Sequence, residues 1–317
     1  MNILYIDIGN RLDDSHMYKY YGDLYRELVK LTTIYVAPAT TNINLLLGQI
    51  SERIDCVIFG LGYFAQNDPR SFGKIEGLAE LDIPVVCLFH KPQTMLAQKL
   101  EFCQINKIDL FLDSQITYKK YGEMANVRSM RSWHTASPEI FHPRDIAVEY
   151  DLGFVGAAHG NNKVEGETRN LRDRIYDQLA ESDYKIFWKK HHTPGDRIPS
   201  VEEYAACMNK CKMWISTTGP MLDVGPRYFE VALSKTLLLC NYMPHEYEGV
   251  FEDGVNCVMF KNDLSNLEEK INYYLEHDEE RQLIVERAYE KIINNYTWER
   301  MAQNLLETVE ELKNGTV

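Results

Sequence analysis

The chain has 317 residues, 45% of them hydrophobic, and a formal net charge of −13. That length suits two domains of roughly 150 residues, each with enough apolar side chains for its own core. The charge disfavours bulk attraction to nucleic acid or to an anionic membrane, and no apolar run reaches the ~18 residues of a membrane span.

Strand and helix signals alternate from the first residues. "NILYIDI" reads as a strand; "MNILYIDIGN" carries Asp7 inside its apolar run and lacks the basic start of a signal peptide. "YGDLYRELVKL" sets Leu24, Leu28 and Leu31 on one helical face. "TTIYVAP" is a β-branched strand stopped by proline, "INLLLGQISE" a helix, "DCVIFGLG" a strand and "FGKIEGLAEL" a helix. "IPVVCLFH" is a strand, "TMLAQKLEFCQI" a helix and "IDLFLDS" a strand. Short continuous apolar strands between amphipathic helices predict a parallel sheet covered on both faces.

The pattern restarts after "SPEIFHPRD". "AVEYDLGFVGA", "YKIFWKK", "KMWIST", "TLLLCN" and "NCVMF" are strands, separated by "TRNLRDRIYDQLAES", "VEEYAACMNKC" and "RYFEVALSK" as helices. Ser200 with Glu203, and Ser265 with Glu268, have capping-box spacing. "NLEEKINYYLEH", "ERQLIVERAYEKIINN" and "TWERMAQNLLETVEEL" close the chain as helices, the last with Thr297 as N-cap. The reading is an α/β protein of two Rossmann-like, doubly wound domains, residues 1–147 and 148–296, facing across a cleft. Ligands of such sheets bind at the carboxyl ends of the strands, and a cleft suits a small metabolite.

The seven cysteines at 56, 87, 103, 207, 211, 240 and 257 sit mostly in apolar strands. They read as buried thiols of a reducing, cytoplasmic compartment. Cys207 and Cys211 are spaced i,i+4, but a zinc site would want two more soft ligands at suitable spacing. The chain lacks Gly-x-Gly-x-x-Gly, a P-loop, Gly-x-Ser-x-Gly and His-Glu-x-x-His, which removes support from classical NAD binding, P-loop phosphoryl transfer, serine hydrolysis and zincin chemistry.

In "DVGPRYFEVALSKTLLLC" a loop containing Gly225 turns into a helix that opens with Arg227. Helix N-termini favour anions, and a guanidinium there can clamp a phosphate bidentately. Glu230, one turn on, can accept both hydroxyls of a ribose. Arginine on phosphate and glutamate on sugar fit a nucleoside diphosphate; the same spacing also describes a surface ion pair.

From Asp151 to about Leu306 the chain resembles the CgeB-like, spore-maturation group of glycosyltransferases. The resemblance is carried in order by "DLGFVGA", an arginine-bearing helix, "GPRYFEVALSKTLLLC", "FEDGVNCVMFKNDLSNLEEKI" and "AYEKIINNYTWERMAQNLL". It implies the two-domain GT-B fold, a nucleotide sugar held by the second domain, and donor-binding roles for Arg227 and Glu230. It also implies that the terminal helix, 297–317, crosses back to the first domain. Many members of the wider superfamily carry a Glu-x7-Glu pair flanking this helix; here the position eight before Glu230 is Leu222 and the one seven before is Asp223, so only the second acid of the pair is kept.

Further donor-side candidates are Gly156, where a diphosphate needs close approach, Lys189 and Lys190 after the "YKIFW" strand, and Thr217 and Thr218. His191, His192 and Gly219 adjoin them, while Arg169 and Arg172 read as surface residues. On the acceptor side stand Gly9, Asn10, Arg11 and Lys91, with His90 as the best-placed general base. His134 reads as a packing residue. No loop carries a convincing Asp-x-Asp, so a metal-independent reaction without a cofactor is expected.

The expected activity is transfer of a sugar from a UDP- or GDP-linked donor to a hydroxyl of a glycan, a protein or a small molecule. Nucleic acid is not expected as a partner. Alternatives are a nucleotide-sugar epimerase of the same build, a non-catalytic nucleotide-sugar sensor and a DNA-base glycosylating enzyme.

Overall fold

The computed structural model describes residues 1–8, 19–66, 68–157, 171–191, 198–219 and 223–315. The chain divides into two units, Met1–Trp133 with Trp298–Val317, and His134–Thr297.

In the first unit the order is β1 (Asn2–Ile6), α1 (Lys19–Leu31), β2 (Thr33–Ala37), α2 (Ile43–Leu47), β3 (Cys56–Phe59), β4 (Val85–Leu88), α3 (Leu96–Ile105), β5 (Leu110–Asp113), α4 (Tyr118–Ala125) and β6 (Arg128–Arg131). The strands form one parallel sheet, β2-β1-β3-β4-β5-β6. Its central strands are apolar at successive positions because both faces are covered. Cys56, Val57, Ile58 and Phe59 are all fully buried, as are Val86 and Cys87 beside them.

The second unit runs β7 (Tyr150–Ala157), α5 (Leu171–Leu179), β8 (Ile186–His191), α6 (Val201–Asn209), β9 (Cys211–Ser216), α7 (Arg227–Leu233), β10 (Leu237–Asn241), α8 (Pro244–Tyr247), β11 (Val258–Phe260), α9 (Leu267–Glu276) and α10 (Asp278–Asn295). Its sheet is also parallel, ordered β11-β10-β9-β7-β8. The last helix, α11 (Trp298–Lys313), belongs to the first unit, where it packs against α1 and buries Trp298, Met301, Ala302, Leu305 and Val309.

Several local readings differ from the sequence expectation. "FGKIEGLAEL" is no α-helix: only short 3₁₀ turns form, at Pro69–Phe72 and Leu78–Glu80. Gly77 takes φ +80°, and the Asn106 side chain accepts from the Ile75 N–H and donates to the Gly73 carbonyl, so a distant residue satisfies this backbone. The segment "RSMR", without an apolar run, forms the half-buried edge strand β6. The cap of α9 is Asn266 rather than Ser265, whereas Ser200 caps α6 as its spacing predicts, accepting from the Glu203 N–H at 3.1 Å.

The division between units falls at Trp133, upstream of residue 147, because the intervening segment is bound to the second unit. The Arg144 N–H donates to Asn209 Oδ1, Asn209 Nδ2 donates to the His142 carbonyl, and the Glu149 N–H donates to the Lys210 carbonyl. His134 opens this unit, and burial pulls its pKa down to about 4. Between pH 6.5 and about 4 the unfolded chain binds a proton that the folded chain refuses, so stability falls as the pH drops through that window. The loss reaches at most about 3 kcal/mol. Acid denaturation of His134→Gln should lack this component; an unchanged pH profile between wild type and variant would show that the imidazole does not titrate in folding.

Candidate functional site

The order of the second sheet reverses between β7 and β9, so these strand ends form the switch point at which doubly wound sheets bind ligands. Gly156 ends β7, Thr217 follows β9, α5 supplies Arg172 from its first turn, and α7 starts at Arg227. Both guanidiniums converge on the glycine. A Cβ at Gly156 would stand 3.3 Å from Nη1 of Arg172 and 3.5 Å from Nη1 of Arg227. A side chain here would take the room beside both cations.

Each arginine is held by its Nε. Arg172 donates to Thr217 Oγ1 at 2.9 Å, and Arg227 donates to the Tyr204 hydroxyl at 2.8 Å. Both are half-buried. Burial, and then the charge of Arg227, hold the Arg172 pKa down to about 10. Burial also opposes the Arg227 charge, but Tyr204 and Glu230 outweigh it and raise that pKa. Two neighbouring cations, one of them destabilised by the other, form a site that a multivalent anion would relieve.

Tyr204 couples this pair to the carboxylate. Its hydroxyl accepts from Arg227 and hydrogen-bonds Glu230. With one proton to give, it donates to the carboxylate. Its ring packs edge-on against Trp214, centroids 5.8 Å apart, and against Phe141 at 6.2 Å. Arg227 and Glu230 are therefore not an isolated surface pair: a half-buried phenol sets their relative position.

The carboxyl ends of β9, β10 and β11 are joined by a network of amides and hydroxyls. Buried Asn241 accepts from the Thr218 N–H at 2.9 Å, and its Nδ2 donates to Thr218 Oγ1 and Asn262 Oδ1, both at 3.1 Å. This makes Thr218 a residue that shapes the β9 exit, its N–H already given to Asn241.

The structure thus brings together Gly156, Thr217, Arg227 and Glu230 of the expected donor group and adds Arg172, Tyr204 and Asn241. Arg172 corrects the reading as a surface residue. It lies at i, with Ile175, Tyr176 and Leu179 at i+3, i+4 and i+7, so it shares the buried face of α5. Lys189 is exposed, on the same sheet face as Phe187 and opposite Trp188. Lys190 and His191 contribute backbone to β8, and their side chains lie outside the described residues, as do Arg169 and His192 entirely. Gly225 is half-buried with open space beside its Cα, so packing does not require glycine there.

The helix-terminus argument also changes. α7 spans only seven residues, and the N–H groups of Tyr228, Phe229 and Glu230 already donate to Gly225 and Pro226 carbonyls. Attraction for an anion resides in the two guanidiniums.

In the first unit, His90 and Lys91 follow β4. His90 is 6% exposed, whereas Lys91 is exposed with φ +43°. Gly9, Asn10 and Arg11 lie outside the described residues. No helix among the described residues is long and apolar enough to cross a membrane.

Residues 159–307 match the family described as glycosyl transferase-like. No curated protein matches the chain. Solved structures share its fold. A sucrose-phosphate synthase from Thermosynechococcus elongatus aligns over 99% of this chain and 100% of its own, with TM-score 0.65 and 10% identity. Anabaena HepE in complex with UDP aligns over 98% of this chain and 100% of its own, with TM-score 0.62 and 13% identity. A Rickettsia africae glycosyltransferase covers 98% of each chain, with TM-score 0.63 and 11% identity. The two-sheet architecture is that of GT-B glycosyltransferases, and the family match agrees with a glycosyltransferase.

Proposed function

We propose that this GT-B glycosyltransferase moves a sugar from a UDP-linked donor to an acceptor hydroxyl. The observation that carries the reading is the pair Arg172 and Arg227 beside Gly156, with Glu230 tied to one of them through Tyr204. The diphosphate lies against the guanidiniums and the ribose hydroxyls against Glu230. As the anomeric C–O bond breaks, negative charge grows on the departing diphosphate, where the two fixed cations oppose it. They occupy the role a divalent metal would otherwise fill, which supports a metal-independent reaction. In the first unit His90 takes the acceptor proton as the new C–O bond forms, with Lys91 beside it on the acceptor side. UDP in complexes of the fold relative HepE supports uridine as the base. The ordered blocks from "DLGFVGA" onward support a CgeB-like subgroup, and the seven free thiols support a cytoplasmic setting.

A thermal-shift series with UDP-, GDP-, ADP- and TDP-sugars tests this. The UDP series should raise the melting temperature and Glu230→Ala should abolish the rise; no shift with any of the four removes the donor reading. Tyr204→Phe keeps the packing against Trp214 but deletes the hydroxyl. UDP-glucose affinity should fall about tenfold in calorimetric titration, the scale of a hydrogen bond to charged groups; unchanged affinity would mean that Arg227 and Glu230 need no such coupling.

A further inference from the structure

Lys99 of α3 is 0% exposed, an unusual place for an ammonium group. Its Nζ donates to the carbonyls of His90 at 2.7 Å and Lys91 at 3.0 Å. Burial lowers its pKa to about 8, and the charge of buried Asp113 opposes that shift. A methionine would fill the same volume without desolvating a charge, so packing alone does not account for lysine.

The turn it supports has unusual geometry. Lys91 and Met95 both have left-handed backbone, at φ +43° and +57°, and neither is glycine. Such conformations persist where surrounding contacts over-determine them. Here the Thr94 N–H closes onto the Lys91 carbonyl at 2.9 Å, and Gln115 Nε2 reaches Gln93 Oε1 at 3.0 Å. The Lys99 N–H donates to the Met95 carbonyl, and the Phe89 N–H joins the sheet at Leu112. Two consecutive carbonyls, of His90 and Lys91, are thereby turned to a single buried cation.

We propose that Lys99 is a positioning residue for the transfer reaction: its ammonium, balanced by Asp113, holds the His90–Lys91 turn and thereby the imidazole that takes the acceptor proton. The proposal rests on the reading of His90 as the base. None of the donor-site residues in the second unit belongs to this turn, so the effect should fall on the chemical step and leave nucleotide binding unchanged.

The test uses the full chain with UDP-glucose, following UDP release, with Lys99→Met, His90→Gln and the double variant. Lys99→Met should keep UDP affinity and donor KM within twofold and lose at least tenfold in kcat. The double variant should be no slower than His90→Gln alone, because one residue acts through the other. A Lys99→Met enzyme with unchanged kcat, or a double variant slower by the product of the single effects, overturns the proposal. If His90→Gln is as fast as wild type, the base assignment falls and the proposal with it. If His90→Gln is slow and Lys99→Met fast, only the role of Lys99 falls. If wild type does not turn over UDP-glucose, the donor reading fails separately. Amide exchange then decides: Lys99→Gln, which keeps a polar head, should accelerate exchange at Thr94 at least tenfold, and unchanged exchange overturns the proposal. That measurement also decides if Lys99→Met does not fold.

Discussion

Arg227→Ala is expected to weaken UDP binding at least a hundredfold, about 3 kcal/mol, because it removes a desolvated cation from the diphosphate. Arg172→Met should weaken it to a similar degree while doing something else to the empty protein. The Arg172 charge is opposed by burial and by Arg227. Replacing it with an apolar side chain of similar length should raise the melting temperature of the ligand-free chain by a few degrees. Gain of stability with loss of binding is the signature of a charge kept for a ligand. The double variant should bind little worse than either single one, since both arginines face the same anion. Titration calorimetry with UDP, paired with melting curves without ligand, checks both parts. Lower stability in Arg172→Met together with retained UDP affinity would make this arginine a structural residue.

Gly153→Ala should be the most destabilising methyl-sized change in the second unit. Gly153 on β7 is in register with Trp214 on β9. A Cβ there would overlap the Trp214 ring and stand 2.9 Å from Cys211 Sγ. Trp214 is fully buried and has no room to retreat: Phe187 lies on one side and Tyr204 on another. Overpacking of this kind costs about 3 kcal/mol. The damage should extend to binding, because the displaced indole is the surface against which Tyr204 holds Arg227 and Glu230. Denaturant unfolding and UDP titration of the same variant measure the two effects; a Gly153→Ala protein as stable as wild type would mean that the strands part easily at this point.

The strands and their order of appearance were legible because each central strand is buried on both faces and so reads as a short apolar run. The helix expected at residues 72–81 failed because its backbone is satisfied by Asn106, a contact no local pattern announces. β6 was missed because an edge strand is half-exposed and need not be apolar. Within the site, Arg227 and Glu230 were visible because they open a helix after a glycine- and proline-bearing loop. Arg172 and Lys99 were hidden by charge, which ordinarily marks a solvated face. A signal did exist: each stands on the apolar stripe of its helix, Arg172 with Ile175 and Leu179, and Lys99 with Leu96 and Cys103. A lone cation on an apolar stripe is a residue whose partner lies inside the protein. Tyr204 carried no such mark, since an aromatic on a buried helical face ordinarily means packing and its hydroxyl finds Arg227 only in three dimensions.

The most direct measurement is a crystal structure of the chain with UDP. The account predicts diphosphate density beside Gly156, within hydrogen-bond distance of both Arg172 and Arg227, and the ribose hydroxyls on Glu230. Nucleotide bound elsewhere, with the two guanidiniums still facing each other across an unchanged glycine, would contradict it.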